Sequence, residues 1–295
     1  MTLDYAVVSP AHDEEGNLDR VVACMASQTV LPIAWVIVEN GSTDGTLARA
    51  RSHAQEHPWL RVTTMAAPTA GERGAPIVYA IHAGLATLSP MPDVVCQLDT
   101  DVSFPPVYFE RLARELEEDD RLGIVSGTCF EQVHGAWRER FATGANVWGG
   151  ARAYRRECLE QVLPLEPRTG WDSIDVAEAN ALGWSTRILH DLRFDHHRQE
   201  ASRERTRWSA WAAQGRVSHY VGYRPSYLFL RSIFRAPRDP AALALVAGYV
   251  GEVLRRRPRC ARPGVRSWVR EQQRLRNLAQ RTAEARGREQ GSAPL

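Results

Sequence analysis

Short apolar runs alternate with amphipathic stretches along the first 200 residues of the chain. Apolar runs typical of buried strands occupy 5–9, 34–38, 60–64 and 93–98, and apolar residues at helical spacing occupy 18–27, 46–57 and 75–88. The strands are continuously apolar rather than alternating, which is typical of a sheet covered on both faces. The β-α-β-α-β-α-β order therefore predicts an α/β fold built on a mostly parallel sheet.

The chain changes character near residue 200. Before it, helices are predicted at 105–118, 154–162 and 171–182, strands at 122–128 and 185–189, and an irregular aromatic stretch at 132–150. After it, arginines and aromatic residues interleave, and the apolar run 241–250 is too short to cross a bilayer. We therefore expect an α/β domain over residues 1–200 and a helical, arginine-rich extension over residues 201–295.

Charge is distributed unevenly between these two parts. The chain has 37 arginines and no lysine, which excludes a Schiff-base lysine and a phosphate-loop lysine. Residues 1–200 hold 17 arginines against 29 acidic residues, whereas residues 201–295 hold 20 against 6. This asymmetry predicts that the basic extension faces a membrane surface, a nucleic acid or an acidic partner chain. The acidic first domain argues against nucleic acid as the main partner.

The cysteines and the N-terminus indicate a compartment. The five cysteines are scattered and include no Cys-x-x-Cys pair, so they predict core thiols in a reducing environment rather than a zinc or disulfide framework. The N-terminus has neither a basic start nor the apolar core of a signal peptide. We therefore expect a cytoplasmic protein, with peripheral contact to the inner face of the membrane as an open alternative.

Carboxylates gather where three of the predicted strands end. Parallel strands deliver their carboxyl ends to one edge of the sheet, where open α/β sheets bind ligands. The residues expected at this edge are Asp13, Glu14, Glu39, Asn40, Asp44, Asp99 and Asp101. Close carboxylates repel unless a proton or a cation lies between them, which predicts a site for a hard divalent ion. For Asp44 the alternative is a cap on the helix that follows.

Three segments in this order resemble the motifs of one known family. They are Ser-Pro-Ala-His-Asp-Glu-Glu-Gly-Asn at 9–17, Val-Glu-Asn-Gly-Ser-Thr-Asp-Gly-Thr at 38–46, and Asp-Thr-Asp at 99–101. Together they resemble a family 2 glycosyltransferase with the GT-A fold, a nucleotide-binding mostly parallel sheet flanked by helices, over about residues 3–200. The resemblance implies a nucleoside-diphosphate sugar as donor substrate and Mg²⁺ or Mn²⁺ as cofactor.

The resemblance also implies donor-binding residues. By position these are Pro10, Ala11, His12, Glu14, Glu39, Asn40, Asp44, Arg73, Asp99, Gly149 and Gly150. Asn40 stands where the family usually has an aspartate that reads the base, which leaves the base open because an amide both donates and accepts. Arg73 matches a nucleotide or diphosphate contact, with a solvated loop arginine as the alternative. Asp101 is implied as a metal ligand, Asp99 as a ligand of ribose or metal, and His196 or His197 as a further ligand.

Sugar transfer also needs a base for the acceptor hydroxyl. The segment Trp171-Asp172-Ser173-Ile174-Asp175 resembles the acidic motif that supplies it, which implies Asp172, with Asp175 one turn further as the fallback. The alternative is that Asp172 or Ser173 caps the helix. Paired glycines at 149 and 150 permit close approach of the backbone to a ligand.

The resemblance therefore implies a metal-dependent, inverting enzyme that transfers one sugar to an acceptor hydroxyl, and we expect it to act in bacterial polysaccharide or glycolipid assembly. No Gln-x-x-Arg-Trp motif is present, which argues against a processive synthase. The acceptor is expected to be a sugar or a lipid-linked molecule, and no nucleic acid is expected. The alternatives are a glycosyltransferase of natural-product biosynthesis, a non-catalytic sugar-nucleotide-binding protein, and a nucleotidyltransferase, which should have a basic, glycine-rich loop after its first strand.

Overall fold

The computed structural model describes residues 3–66, 74–133, 135–140, 146–198 and 206–274. The chain divides into two compact units, one of residues 1–179 and 183–198, the other of residues 180–182 and 199–295.

The first half of the first unit follows the predicted alternation of strands and helices. Its strands are β1 (Tyr5–Ala11), β2 (Ala34–Glu39), β3 (Leu60–Thr64) and β4 (Val94–Leu98), and its helices are α1 (Glu15–Ala26), α2 (Thr46–Glu56) and α3 (Ala75–Leu85). The four strands are parallel, in the order β3-β2-β1-β4. The polar loops after β1, β2 and β4 therefore lie at the same edge of the sheet.

The second half extends the same sheet. Its elements are β5 (Val102–Ser103), α4 (Tyr108–Glu118), β6 (Leu122–Val133), β7 (Ala136–Glu139), β8 (Ala151–Arg155), α5 (Arg156–Val162), α6 (Trp171–Ala181) and β9 (Ser185–His196). The order continues as β4-β8-β6-β9-β5, with β8 antiparallel to both of its neighbours and β9 parallel to β6. The predicted mixed α/β fold with a mostly parallel sheet is confirmed.

Several element bounds differ from the prediction. Residues 151–155 form a central strand where a helix was expected from residue 154, because Ala151, Ala153 and the buried Arg152 hide the apolar pattern of a strand. Strand β9 continues to His196 rather than ending at residue 189, and β7 occupies part of the stretch predicted to be irregular. Helix α4 begins at Tyr108, after the two prolines that were expected to start it.

Alternate residues of the strands build two cores, one on each face of the sheet. Val7 packs with α1 and α4 on one face, whereas Val8 packs with α3 and α6 on the other. Each fully buried side chain of this kind contributes roughly 1.5–3 kcal/mol. The two cores explain why the strands are continuously apolar, and they hold the edge of polar loops in place.

The described part of the second unit is helical. It contains α7 (Arg207–Tyr220), α8 (Pro225–Arg235), a 3₁₀ turn (Pro240–Leu243), α9 (Ala244–Leu254) and α10 (Val265–Gln272). Helices α7 and α9 touch at Gly215 and Gly248, where an added Cβ would lie 2.2 Å and 2.1 Å from backbone oxygens of the opposite helix. None of the described helices has the length and apolar character needed to cross a membrane.

Candidate active site

Asp99, Asp101 and His196 form a cluster at the edge where β4 ends, and one ligand atom from each lies within 4.8 Å of the others. Asp101 is buried, with its Oδ1 3.1 Å from Nε2 of His196. The strand pairing explains this contact, because β5 pairs β9 with Val102 opposite His196. His197 points elsewhere, with its Nε2 2.8 Å from Oγ of Ser103. The geometry thus distinguishes the two histidines that the sequence left open.

The imidazole of His196 lies between two carboxylates, since its Nδ1 is 3.3 Å from Oε1 of Glu131. Burial alone would lower the pKa of His196, but hydrogen bonds to Asp101 and Glu131 raise it to about 10. Without a metal ion, His196 is therefore protonated at neutral pH and balances the negative charge. A metal ligand must be a neutral imidazole, so a bound ion would displace this proton.

Arg198 also contacts this cluster, and sequence analysis did not identify it. Its Nη1 and Nη2 lie 2.8 Å and 2.9 Å from the two carboxylate oxygens of Glu14, and its Nε lies 3.6 Å from Oδ2 of Asp101. Glu14 is buried at the start of α1, where its backbone N–H donates to Oγ1 of Thr46 at 2.7 Å. The only sequence signal for Arg198 is its position two residues after His196.

Asn40 and the loop after β1 form a second polar region on the same edge. The side chain of Asn40 is buried, and its Oδ1 has no hydrogen-bond partner among the residues that the structure describes. Its backbone N–H donates to the carbonyl of Ala11 at 3.1 Å, and its carbonyl lies 3.3 Å from Nδ1 of His12. Glu39 accepts the backbone N–H of Ser42. The buried amide of Asn40, with its open acceptor, therefore lies beside the end of β1 at Pro10 and Ala11 and beside His12, which follows the strand.

Asp44 and Asp13 form hydrogen bonds between loops and do not belong to the cluster of Asp99, Asp101 and His196. Asp44 accepts the backbone N–H groups of Thr46 at 3.0 Å and Glu15 at 3.2 Å, at the starts of α2 and α1. Asp13 accepts the N–H of Thr43 at 2.7 Å. For Asp44 these contacts favour the structural alternative weighed from the sequence, stabilisation of a helix start. Arg73 lies outside the described residues.

Gly149 and Gly150 lie between the cluster and Asp172. A Cβ added to Gly149 would lie 3.1 Å from Oδ2 of Asp172, and one added to Gly150 would lie 3.2 Å from Oδ2 of Asp99. The backbone N–H of Asp99 donates to the carbonyl of Gly150 at 2.8 Å. This glycine pair therefore brings Asp172, in the first turn of α6, to the neighbourhood of Asp99.

Asp175 has a different environment from Asp172. It is buried, its Oδ2 lies 2.9 Å from Nη2 of Arg152, and the hydroxyl of Tyr154 donates to it. Burial raises the pKa of Asp175 above its ordinary value, and the guanidinium of Arg152 opposes that rise. Asp172 is only half-buried, and its backbone carbonyl accepts Nη1 of Arg152 at 3.1 Å. Asp172 is therefore partly exposed, whereas Asp175 is enclosed.

The donor set at the cluster fits a divalent ion. Two aspartates supply hard oxygen ligands, which suit Mg²⁺ and Mn²⁺, and the imidazole of His196 adds a nitrogen that favours Mn²⁺. An ion there would lie at the carboxyl end of a parallel sheet, where α/β folds bind phosphorylated ligands. The arrangement places a cation site, a buried amide and a half-buried carboxylate along one edge.

Comparison with known proteins supports the family resemblance and the fold. The family model described as "Glycosyl transferase family 2" matches residues 6–143. A mannosyltransferase from Pyrobaculum calidifontis, solved with GDP-Man and Mn²⁺, is similar in structure with a TM-score of 0.58 and 16% identity, over 97% of this chain and 85% of that one. No curated protein matches the chain.

Two further solved structures have the same fold. Residues 1–349 of TarS from S. aureus match with a TM-score of 0.52 and 16% identity, over 66% of this chain and 60% of that one. GalNAc-T7, solved with UDP, GalNAc and Mn²⁺, matches with a TM-score of 0.54 and 14% identity, over 67% of this chain and 44% of that one. The predicted family resemblance and the enzyme class are confirmed.

Proposed function

We propose that the chain is a glycosyltransferase of the family 2 type with the GT-A fold, and that it transfers one sugar from a nucleoside-diphosphate sugar to an acceptor hydroxyl, with inversion and with a divalent metal ion. The observation that carries this proposal is the Asp99–Asp101–His196 cluster, with Asp172 on the other side of the glycine pair. A non-catalytic sugar-nucleotide-binding protein would not need a carboxylate at that position.

Asp99, Asp101 and His196 would hold the ion. When bound, a divalent ion supplies Lewis-acid stabilisation of the negative charge on the leaving diphosphate. Two of the similar structures were solved with Mn²⁺, which supports the assignment of this cofactor. His196 would release its proton when it becomes a ligand, so ion binding is expected to strengthen as pH rises.

Asp172 would act as the base that takes the proton of the acceptor hydroxyl. It is half-buried, in the first turn of α6. Its carboxylate lies against Gly149, and the neighbouring Gly150 lies against the carboxylate of Asp99. A single displacement with this base on one side and the diphosphate leaving on the other inverts the configuration of the sugar. Asp175 is occupied by Arg152 and Tyr154, so we assign it a structural role.

Asn40 would read the base of the donor. Its Oδ1 is an open acceptor, and its amide nitrogen is a donor. That pair complements an adjacent ring N–H and carbonyl, which uracil and guanine present and adenine and cytosine do not. Similar structures were solved with GDP-Man and with UDP, which supports a uridine or guanosine donor.

The second unit suggests where the acceptor is found. Helix α8 exposes an apolar face of Phe229, Leu230, Ile233 and Phe234, each 45–55% exposed. Arg231, Arg235 and Arg238 lie on or just after the same helix. A basic amphipathic helix of this kind inserts shallowly into anionic membranes. We therefore propose peripheral contact with the cytoplasmic face of a membrane, a lipid-linked acceptor, and a role in bacterial polysaccharide or glycolipid assembly.

Co-sedimentation with vesicles tests the membrane contact. We expect binding to vesicles with anionic lipid, weaker binding to neutral ones, and loss of binding in Phe229→Ser/Ile233→Ser. Equal binding of wild type and variant, or self-association of wild type through this face, would contradict the membrane contact. Glycosylation in natural-product biosynthesis is the second candidate, and a water-soluble acceptor would favour it.

Calorimetric titration with a panel of nucleoside diphosphates, in Mn²⁺ and in EDTA, tests the donor site. We expect UDP or GDP to bind only with Mn²⁺, and Asp101→Ala to abolish that binding, whereas the surface variant Asp191→Ala should bind normally. Loss of transfer in Asp101→Ala is expected to be roughly 10²–10³-fold, the usual cost of removing one charge-stabilising group. Metal-independent binding, or none under any condition, would refute the proposal.

A further inference from the structure

Arg198 lies where a metal ion would be expected to compete for the same carboxylates. Its guanidinium grips both oxygens of Glu14 and lies 3.6 Å from Oδ2 of Asp101, whose other oxygen contacts His196. The two carboxylate side chains are each only 5% exposed, whereas the arginine side chain is 31% exposed. The cation is thus the accessible member of a largely buried contact.

We propose that Arg198 is the internal counter-ion of the metal site: it neutralises Glu14 and Asp101 in the metal-free protein, leaves them when a divalent ion binds, and then contacts the diphosphate of the donor. This inference rests on the proposed function, because it gives a role to one more residue in donor binding.

Electrostatics supports the exchange. The carboxylates of Glu14 and Asp101 repel each other, so the metal-free site needs positive charge, and the guanidinium of Arg198 supplies it. A divalent ion on Asp101 would lie within a few ångströms of the guanidinium and would repel it. Binding of the ion and the contact of Arg198 with Asp101 therefore oppose each other.

The geometry also allows the displaced guanidinium of Arg198 to bind a phosphate of the donor. Arg198 is the last residue of the first unit and follows the end of β9, so its side chain can rotate from one anion to another at the same edge of the sheet. A planar guanidinium fits a phosphate with two parallel hydrogen bonds, as it now fits Glu14. Leaving the carboxylates thus need not leave the charge of Arg198 unpaired.

The counter-ion role is tested by measuring Mn²⁺ binding without nucleotide, with the free ion detected by electron paramagnetic resonance. Arg198→Met should bind Mn²⁺ more tightly than wild type by roughly 5- to 100-fold, the range of coupling between linked sites. Arg198→Lys keeps the charge and should stay near wild type. Arg193→Met, at a nearby arginine of β9 that is paired with Asp195, is the matched control and should not change Mn²⁺ affinity.

The contact of Arg198 with the diphosphate is tested by measuring nucleotide binding at saturating Mn²⁺. Arg198→Met should bind UDP or GDP less tightly than wild type, so the two affinities should move in opposite directions. An unchanged or weaker affinity for Mn²⁺ in Arg198→Met overturns the counter-ion role, and unchanged nucleotide affinity overturns the contact with diphosphate. If Mn²⁺ affinity rises but no variant binds any nucleotide, the counter-ion stands and the proposed function fails.

Discussion

Two arginines of the first unit each face an aspartate, and their surroundings differ in access to water. Arg152 is fully buried, its guanidinium lies 4.7 Å from the ring centre of Trp171 and 4.9 Å from that of Tyr154, and it pairs with the buried Asp175. Arg198 lies near Asp101 at the edge of the sheet, with about a third of its side chain exposed. The first contact is enclosed, and the second is open on one side.

This difference in exposure corresponds to a structural role for Arg152 and the proposed ligand-binding role for Arg198. Arg152 also donates to the backbone carbonyl of Asp172, so the enclosed pair fixes the first turn of the helix that presents the proposed base. Neither partner can leave without an uncompensated buried charge. Arg198 can exchange its partners because water and ligands reach it. Residues of the same type therefore hold a structure in one place and respond to a ligand in the other.

Removing the proposed base is the largest change that this comparison predicts. Asp172→Asn keeps the size of the side chain but cannot take a proton, so transfer should fall roughly 10²- to 10⁴-fold. Binding of the nucleotide with Mn²⁺ should be unchanged, because the metal cluster is intact. Steady-state transfer and calorimetry measure the two effects separately.

Asp175→Asn is the counterpart for this experiment, since it changes the enclosed carboxylate one turn away. If Asp175→Asn loses transfer at full stability while Asp172→Asn keeps it, the assignment of the two aspartates is reversed.

Breaking the enclosed pair should affect stability instead. Arg152→Met leaves Asp175 buried without its partner, and the free energy of unfolding should fall by about 3–5 kcal/mol. Arg152→Met/Asp175→Leu should recover part of this loss, because both charges are then gone. Urea unfolding of the three proteins measures it.

The matched comparison is Arg198→Met, which should lower the free energy of unfolding by less than Arg152→Met does, because about a third of the Arg198 side chain is exposed and solvent screens its charge. Equal losses of stability in Arg152→Met and Arg198→Met would show that the two contacts do not differ as described.

The sequence predicted the open edge better than the enclosed pair. Apolar strands followed by acidic loops placed Asp99 and Asp101 correctly at the end of β4, because the order of parallel strands determines where their ends meet. The pairing of Arg152 with Asp175 depends on β8, and a strand that contains a buried arginine has no recognisable apolar alternation. Composition cannot indicate that a charge is buried when its partner lies on another element.

The choice between His196 and His197 shows the same limit. Adjacent residues of a strand point to opposite faces, but the sequence did not predict that β9 extends this far, so the face of each histidine was undetermined. Arg198 was missed for the related reason that its partner Glu14 lies 184 residues away. Local patterns predict strand ends, whereas contacts between distant strand ends need the sheet order and register.

The open cluster should also make stability depend on pH. The folded pKa of His196, about 10, exceeds its ordinary value near 6.5, so its stabilising contribution is complete below that ordinary value and is lost as pH rises through 10. In EDTA, the free energy of unfolding of wild type should therefore fall across this window relative to His196→Gln. His197→Gln is the control, because burial lowers the pKa of His197 and gives no slope above neutral pH.

The smallest predicted effect tests how closely the glycine pair approaches the carboxylate of Asp172. Gly149→Ala would place a Cβ 3.1 Å from Oδ2 of Asp172, close enough to shift that carboxylate by a few tenths of an ångström. Transfer should fall about tenfold, because small displacements of a catalytic group are costly, while stability and Mn²⁺ binding stay unchanged. Gly16→Ala, where an added Cβ meets nothing within 4 Å, should have no effect on transfer. A normal rate in Gly149→Ala would mean that Asp172 tolerates displacement, and it would weaken the link between the enclosed pair and the proposed base.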